Sequence, residues 1–170
     1  MNKINKIVYM GLLISLEIIL TRFLSIQTPI VRIGFGFLPI VAAGVMFGPI
    51  LAGITAAIAD ILGMLIFPQG AYFPGFTLSA FIGGVVYGSL FYKKSATIIR
   101  SAIAVGIITV FVDLLLNTYW LTFITGKAAT ALIIPRLTKS AIMFPIQTTL
   151  IYTLWKLIIR LNFMPKFNKA

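Results

Sequence analysis

Three carboxylates, Glu17, Asp60 and Asp113, make up the acidic complement of this chain, and each lies inside a long apolar run. A carboxylate at bilayer depth costs about 2.5–3.5 kcal/mol on insertion scales, so it faces a bundle interior and meets a partner or a ligand. The groups able to answer such acids are Arg22, Arg32, Arg136, Lys139, Asn117 and Gln147. Helical spacing sorts them. Asp113 and Asn117 are i,i+4 neighbours with Trp120 a turn further, so they form one stripe. Arg136, Ser140, Met143 and Gln147 share another face, with Lys139 at its flank. Glu17 and Arg22 stand five apart and point to different sides. For Glu17 and Asn117, hydrogen bonding between helices and ligand binding both remain open. A second group is aromatic: Tyr72, Phe73 and Phe76 sit among Pro68, Gly70, Pro74 and Gly75. Rings on so constrained a segment can stack on a flat molecule or cover a cavity, although an interfacial aromatic belt is the commoner use.

The elements that must position these groups are membrane spans. With 170 residues, 60% of them hydrophobic, and a mean hydropathy of +1.08, the chain reads as an all-α integral membrane protein. At about 20 residues per span there is room for roughly six helices and no separate soluble domain, so residues 1–170 form one transmembrane domain. The spans fall near Ile7–Leu24, Gly34–Phe47, Ile50–Phe67, Phe76–Tyr92, Ile98–Thr125 and Leu137–Arg160, the last two joined through Gly126 to Arg136. The first run continues to Phe23 without a small-x-small cleavage site and reads as a retained span.

Several function classes drop out. No GxxxxGK[ST] sequence is present, so ATP hydrolysis would belong to other chains, and the protein reads as no enzyme. Cysteine and histidine are absent, which removes thiol chemistry and the usual zinc ligands; no cofactor is expected. The net charge of +11 is spread around the spans and reflects topology rather than nucleic acid. With both termini inside, nine cations (Lys3, Lys6, Lys93, Lys94, Arg100, Lys156, Arg160, Lys166, Lys169) face five (Arg22, Arg32, Lys127, Arg136, Lys139), which favours N-in and C-in. Two outer cations as close as Arg136 and Lys139 argue for an anionic partner.

Depth follows from the helical rise. Asp60 lies about 10 Å below the outer end of its span, and Gln147 about 15 Å below the Arg136–Lys139 mouth of the last. Polar groups of three helices thus sit in the outer half, a pattern suited to an outward-opening cavity. Small residues at four-residue spacing, Gly11 and Ser15, Gly44 and Gly48, Gly84 and Gly88, let helices approach closely. The Gly11–Ser15 pair is a candidate docking face for another membrane subunit.

Over nearly its whole length the sequence resembles the substrate-binding S components of energy-coupling factor (ECF) vitamin transporters, above all the folate-specific ones. The resemblance runs through Leu16-Glu-Ile-Ile-Leu-Thr-Arg22, Val31-Arg-Ile-Gly-Phe-Gly-Phe-Leu-Pro39, Ala59-Asp60 with Gly63, and Phe67-Pro68. It continues in Tyr72-Phe-Pro-Gly-Phe-Thr-Leu-Ser-Ala80, Leu116-Asn-Thr-Tyr-Trp120, Pro135-Arg136 and Pro145-Ile-Gln147. The usual first-span Ala-x-x-x-Ala stands here as Gly11 and Ser15. The resemblance implies high-affinity capture of folate outside a bacterial cell, a transmembrane coupling subunit (EcfT) and two cytoplasmic ATPases as partners, and the plasma membrane as location. Folate suits the residues chemically. Its pterin offers N–H groups to Asp60, Asp113 or Asn117, and its rings suit Tyr72, Phe73, Phe76 or Trp120. Its dianionic tail suits Arg32, Arg136 or Lys139. Alternatives are another vitamin or pterin-like precursor as cargo, or a stand-alone proton-coupled transporter.

Overall fold

The computed structural model describes residues 3–27, 32–68, 72–126 and 128–160. The first helix, α1 (Lys3–Arg22), leads into a two-stranded antiparallel hairpin, β1 (Ile26–Gln27) and β2 (Arg32–Ile33), paired Ile26 to Ile33 and Gln27 to Arg32. The chain then returns through α2 (Phe37–Phe47), α3 (Pro49–Ile66) and α4 (Pro74–Phe91). The fifth span is compound: α5 (Ile98–Ile107), a π-helical segment (Ile108–Leu116) and α6 (Asn117–Thr125). The last helix, α7, covers Ala129–Arg160.

Five of these spans are long and apolar enough to cross a membrane. The exception is α2, whose 11 residues reach only about 16 Å at 1.5 Å per residue. Nearly all of it is buried, Pro39 to Val45 without interruption, and it packs against α1, α3, α4 and α7. It is the centre of the core, surrounded by Ala52, Tyr87, Phe91, Val105 and Ile151.

Local sequence explains the breaks. Gly48 turns with φ of 88°, where a side chain would be strained, and Pro49 opens α3 immediately after it. Pro74 opens α4 in the same way, and Thr97 caps α5 by accepting from the Arg100 amide at 3.2 Å. Packing between α3 and α4 is close because glycines line the seam. A β-carbon on Gly88 would stand 2.3 Å from the Pro49 Cα, and one on Gly84 2.5 Å from the Ala52 carbonyl oxygen.

Three span starts differ clearly from the sequence reading, the first helix beginning at Lys3 and not Ile7. The second span begins at Phe37, because the hairpin runs to Ile33 and residues 34–36 connect it to the helix. The last helix begins eight residues earlier than expected, at Ala129 and not Leu137, and carries Pro135 and Pro145 in its interior. An internal proline loses one backbone hydrogen bond and in water marks a helix end. In a membrane helix, neighbouring helices and Ser/Thr hydroxyls take up the freed groups.

Candidate functional site

Helix directions decide where the polar groups meet. The ends of α1, α3 and α6 and the starts of α4 and α7 lie at the bundle end that carries the hairpin, opposite the start of α1 and the end of α7. There a cavity of about 590 Å³ penetrates between the helices. Glu17, Asp60 and Asp113, from α1, α3 and the π-helical segment, all line it. So do Tyr72, Phe73, Phe76, Asn117, Arg136, Lys139 and Gln147. The three acids do not form a cluster able to hold a metal ion among the described residues.

Asp113 is the most connected. Its Oδ2 lies 3.1 Å from Lys139 Nζ, and its Oδ1 accepts from Asn117 Nδ2 at 3.2 Å. Its backbone carbonyl accepts from Arg136 Nη1 at 2.6 Å, and the same Nη1 reaches Thr118 Oγ1 at 3.2 Å. The Arg136 side chain thus joins α7 to the widened turns of the π-helical segment, a backbone form found disproportionately at functional sites. Asn117 Oδ1 is buried on this wall with no hydrogen-bond donor among the described residues.

The other acids are held differently. Asp60 Oδ2 accepts from Thr77 Oγ1 at 2.7 Å, and that hydroxyl lies 3.2 Å from the Tyr72 phenol. Glu17 lines the cavity from α1, one turn below Thr21, which also lines it. The aromatic wall is braced from behind. Phe73 packs on Trp120 with centroids 5.5 Å apart and on Phe76 at 6.2 Å, while Trp120 Nε1 donates to Ser79 Oγ at 3.2 Å. Gly75 makes this possible, since a β-carbon there would stand 2.6 Å from the Trp120 ring.

Placement against the sequence reading is mixed. Trp120 supports the wall and does not line the cavity, its indole being spent on Ser79 and Phe73. Arg22 is buried but is not a lining residue; it lies against Gly63, where a β-carbon would come within 3.0 Å of its Nε. The Arg32 side chain lies outside the described residues, as do Gly70 and Lys127. Arg136 and Lys139 lie within the last helix and not at its start. With α7 starting at Ala129 they lie about 10 and 15 Å along it, and Gln147 is deeper still. Gly11 and Ser15 are exposed on α1, away from the cavity.

Thr77, Ser79, Gly83 and Tyr87 were not singled out for the site. Their types are common in any membrane helix, and only the fold shows Thr77 on Asp60, Ser79 on Trp120, and Gly83 and Tyr87 in the cavity lining.

Residues 5–155 match the family described as ECF transporter, substrate-specific component. The chain belongs to that family. It is similar to the folate transporter FolT of Clostridium novyi (strain NT), 59% identical over 99% of this chain and 100% of the relative. It is also similar to the folate transporter FolT of Leuconostoc mesenteroides subsp. mesenteroides, 33% identical over 86% of this chain and 82% of the relative. Among solved structures, a crystal structure of FolT bound with folic acid superposes with a TM-score of 0.84 at 42% identity, covering 88% of this chain and 90% of that one. This S component is therefore a multi-pass protein of the bacterial plasma membrane, its spans all helical beside the short β1–β2 hairpin. Chemically its cavity offers both hydrogen-bond acceptors and aromatic side chains, with three carboxylates against two cations in the lining.

Proposed function

We propose that this chain captures folate with high affinity at the outer face of the membrane and delivers it as the S component of an ATP-driven ECF importer. In this reading the whole chain is one substrate-binding domain with both termini inside. Nine of its 14 cations then lie on the cytoplasmic side, as the positive-inside bias favours, and the cavity faces out. ATP hydrolysis belongs to two separate ATPase subunits and reaches this chain through a transmembrane coupling subunit.

The observation that carries the reading is the convergence of all three acids of the sequence on one cavity beside an aromatic wall. A cavity of about 590 Å³ is within the range of roughly 300–1,000 Å³ typical of small-molecule sites. A pterin supplies the flat face for Phe73, Phe76 and Tyr72 and the N–H donors for Asp60, Asp113, Asn117 and Gln147. Asn117 Oδ1 gains a donor it otherwise lacks, removing a penalty of about 1–3 kcal/mol for a buried unsatisfied group. Because Lys139 already answers Asp113, the ligand's anionic tail points toward the open end of the cavity. The relatives named folate transporters and the structure holding folic acid support the same cargo.

Isothermal titration of the purified protein against a vitamin panel tests this. Folate should bind with a submicromolar Kd and more tightly than every other compound. Folate binding weaker than micromolar, with another vitamin tighter, would end the folate assignment.

A further inference from the structure

Gly83 and Gly84 are neighbours on α4 and both line the cavity, but they differ in what an added β-carbon would meet. Gly84 is a packing glycine: a β-carbon there would stand 2.5 Å from the Ala52 carbonyl oxygen and 2.8 Å from the Gly53 Cα. Gly88, one turn on, is equally crowded by Pro49. Gly83 is also buried, yet a β-carbon built on it would meet nothing within 4 Å. Gly11 shows the same emptiness but is exposed, so its open space lies outside the molecule. At Gly83 the open space is interior, for the residue lines the cavity together with Ala80 and Tyr87 of the same helix. A glycine in a helix interior is disfavoured by backbone entropy and is retained where close approach demands it. At Gly83 no protein group makes that approach.

We infer that Gly83 is a specificity-determining residue: its missing side chain keeps open the part of the cavity that receives the flat ring system of the ligand. Ala80 and Gly83 leave this stretch of α4 nearly bare, and Tyr87 lies one turn deeper. Val112 and Ile108 of the π-helical segment also line the cavity. A planar ring can lie against such a surface, while its edge reaches the polar groups around Asp113. The inference rests on the folate reading and adds a size limit to it.

The test uses the full-length protein in detergent, with folate affinity by titration and thermal unfolding with and without folate. Gly83→Ala should weaken folate about tenfold or more, and Gly83→Leu at least about a hundredfold, because each adds carbon to a fitted pocket. Their ligand-free Tm should be no lower than that of the unaltered protein, while the Tm rise on adding folate shrinks or disappears. Gly84→Ala, by contrast, should lower the ligand-free Tm. A Gly83→Leu protein that binds folate within about threefold of the unaltered one overturns the inference. So does a lowered ligand-free Tm in Gly83→Ala, which would assign this glycine to helix packing. Failure of the unaltered protein to bind folate is a separate result, and it removes the folate reading itself.

Discussion

Asp113 and Lys139 form an ion pair in the lining of the cavity. The pair is partly buried, with side-chain exposures of 30% and 17% at an N–O separation of 3.1 Å. Exposed pairs contribute up to about 1 kcal/mol, and breaking a fully buried one costs about 3–5 kcal/mol, so Lys139→Met should destabilise by roughly 1–3 kcal/mol. Thermal unfolding without ligand measures this. The double variant Lys139→Met with Asp113→Asn should recover most of the lost Tm, since no uncompensated carboxylate is left behind. A double variant no more stable than the single one would show that the charge pair is not the source. Arg136 has a different task. Its Nη1 holds the Asp113 carbonyl and the Thr118 hydroxyl, so it positions the π-helical wall. Arg136→Ala should therefore weaken folate and its tail-lacking analogue pteroate by similar factors in parallel titrations. A loss confined to folate would place Arg136 on the glutamate tail, as its charge alone suggests.

At the scale of the helix, the seam between α3 and α4 rests on backbone contact. Gly88→Ala drives a β-carbon to within 2.3 Å of the Pro49 Cα, and backbone cannot swing aside as a side chain would. Overpacking of this kind costs about 1–3 kcal/mol, so a fall in ligand-free Tm is expected in a thermal melt. An unchanged Tm would mean that the two helices separate freely. This seam was legible in the sequence as small residues four apart, as were four of the spans, from their apolar runs and the proline and glycine breaks between them. What escaped has identifiable causes. Pro135 reads as a helix end because in water it would be one, and that places the start of the last helix two turns too late. The π-helical backbone leaves no mark in a single sequence, since Ile108 to Leu116 is, apart from Asp113, an ordinary apolar run. The acids were readable because charge in an apolar run is rare. Thr77 and Gly83 were not, because their roles depend on which surface of α4 turns toward Asp60 or the cavity.

For the molecule as a whole, the proposed importer role leaves the work of release to other subunits, and those subunits would need a surface on this bundle. The first helix supplies a candidate. It buries much less of its length than the other spans, presenting Ile4, Ile7, Val8, Leu12, Leu16 and Ile19 outward. Gly11 and Ser15 lie on this exposed helix, and Ser15 Oγ is satisfied internally by the Gly11 carbonyl at 3.0 Å, so the pair offers a shallow, nonpolar notch. Small residues at this spacing let a second helix approach closely within lipid, where packing rather than water exclusion drives association. Gly11→Leu fills that notch at a site remote from the cavity. Folate affinity of the purified variant should stay at the unaltered value, whereas folate uptake by cells co-expressing it with the proposed coupling subunit and ATPases should fall severalfold or more. Recovery of the subunits by affinity purification through this chain should fall with it. Uptake and recovery both unchanged would move the docking surface to another face of the bundle.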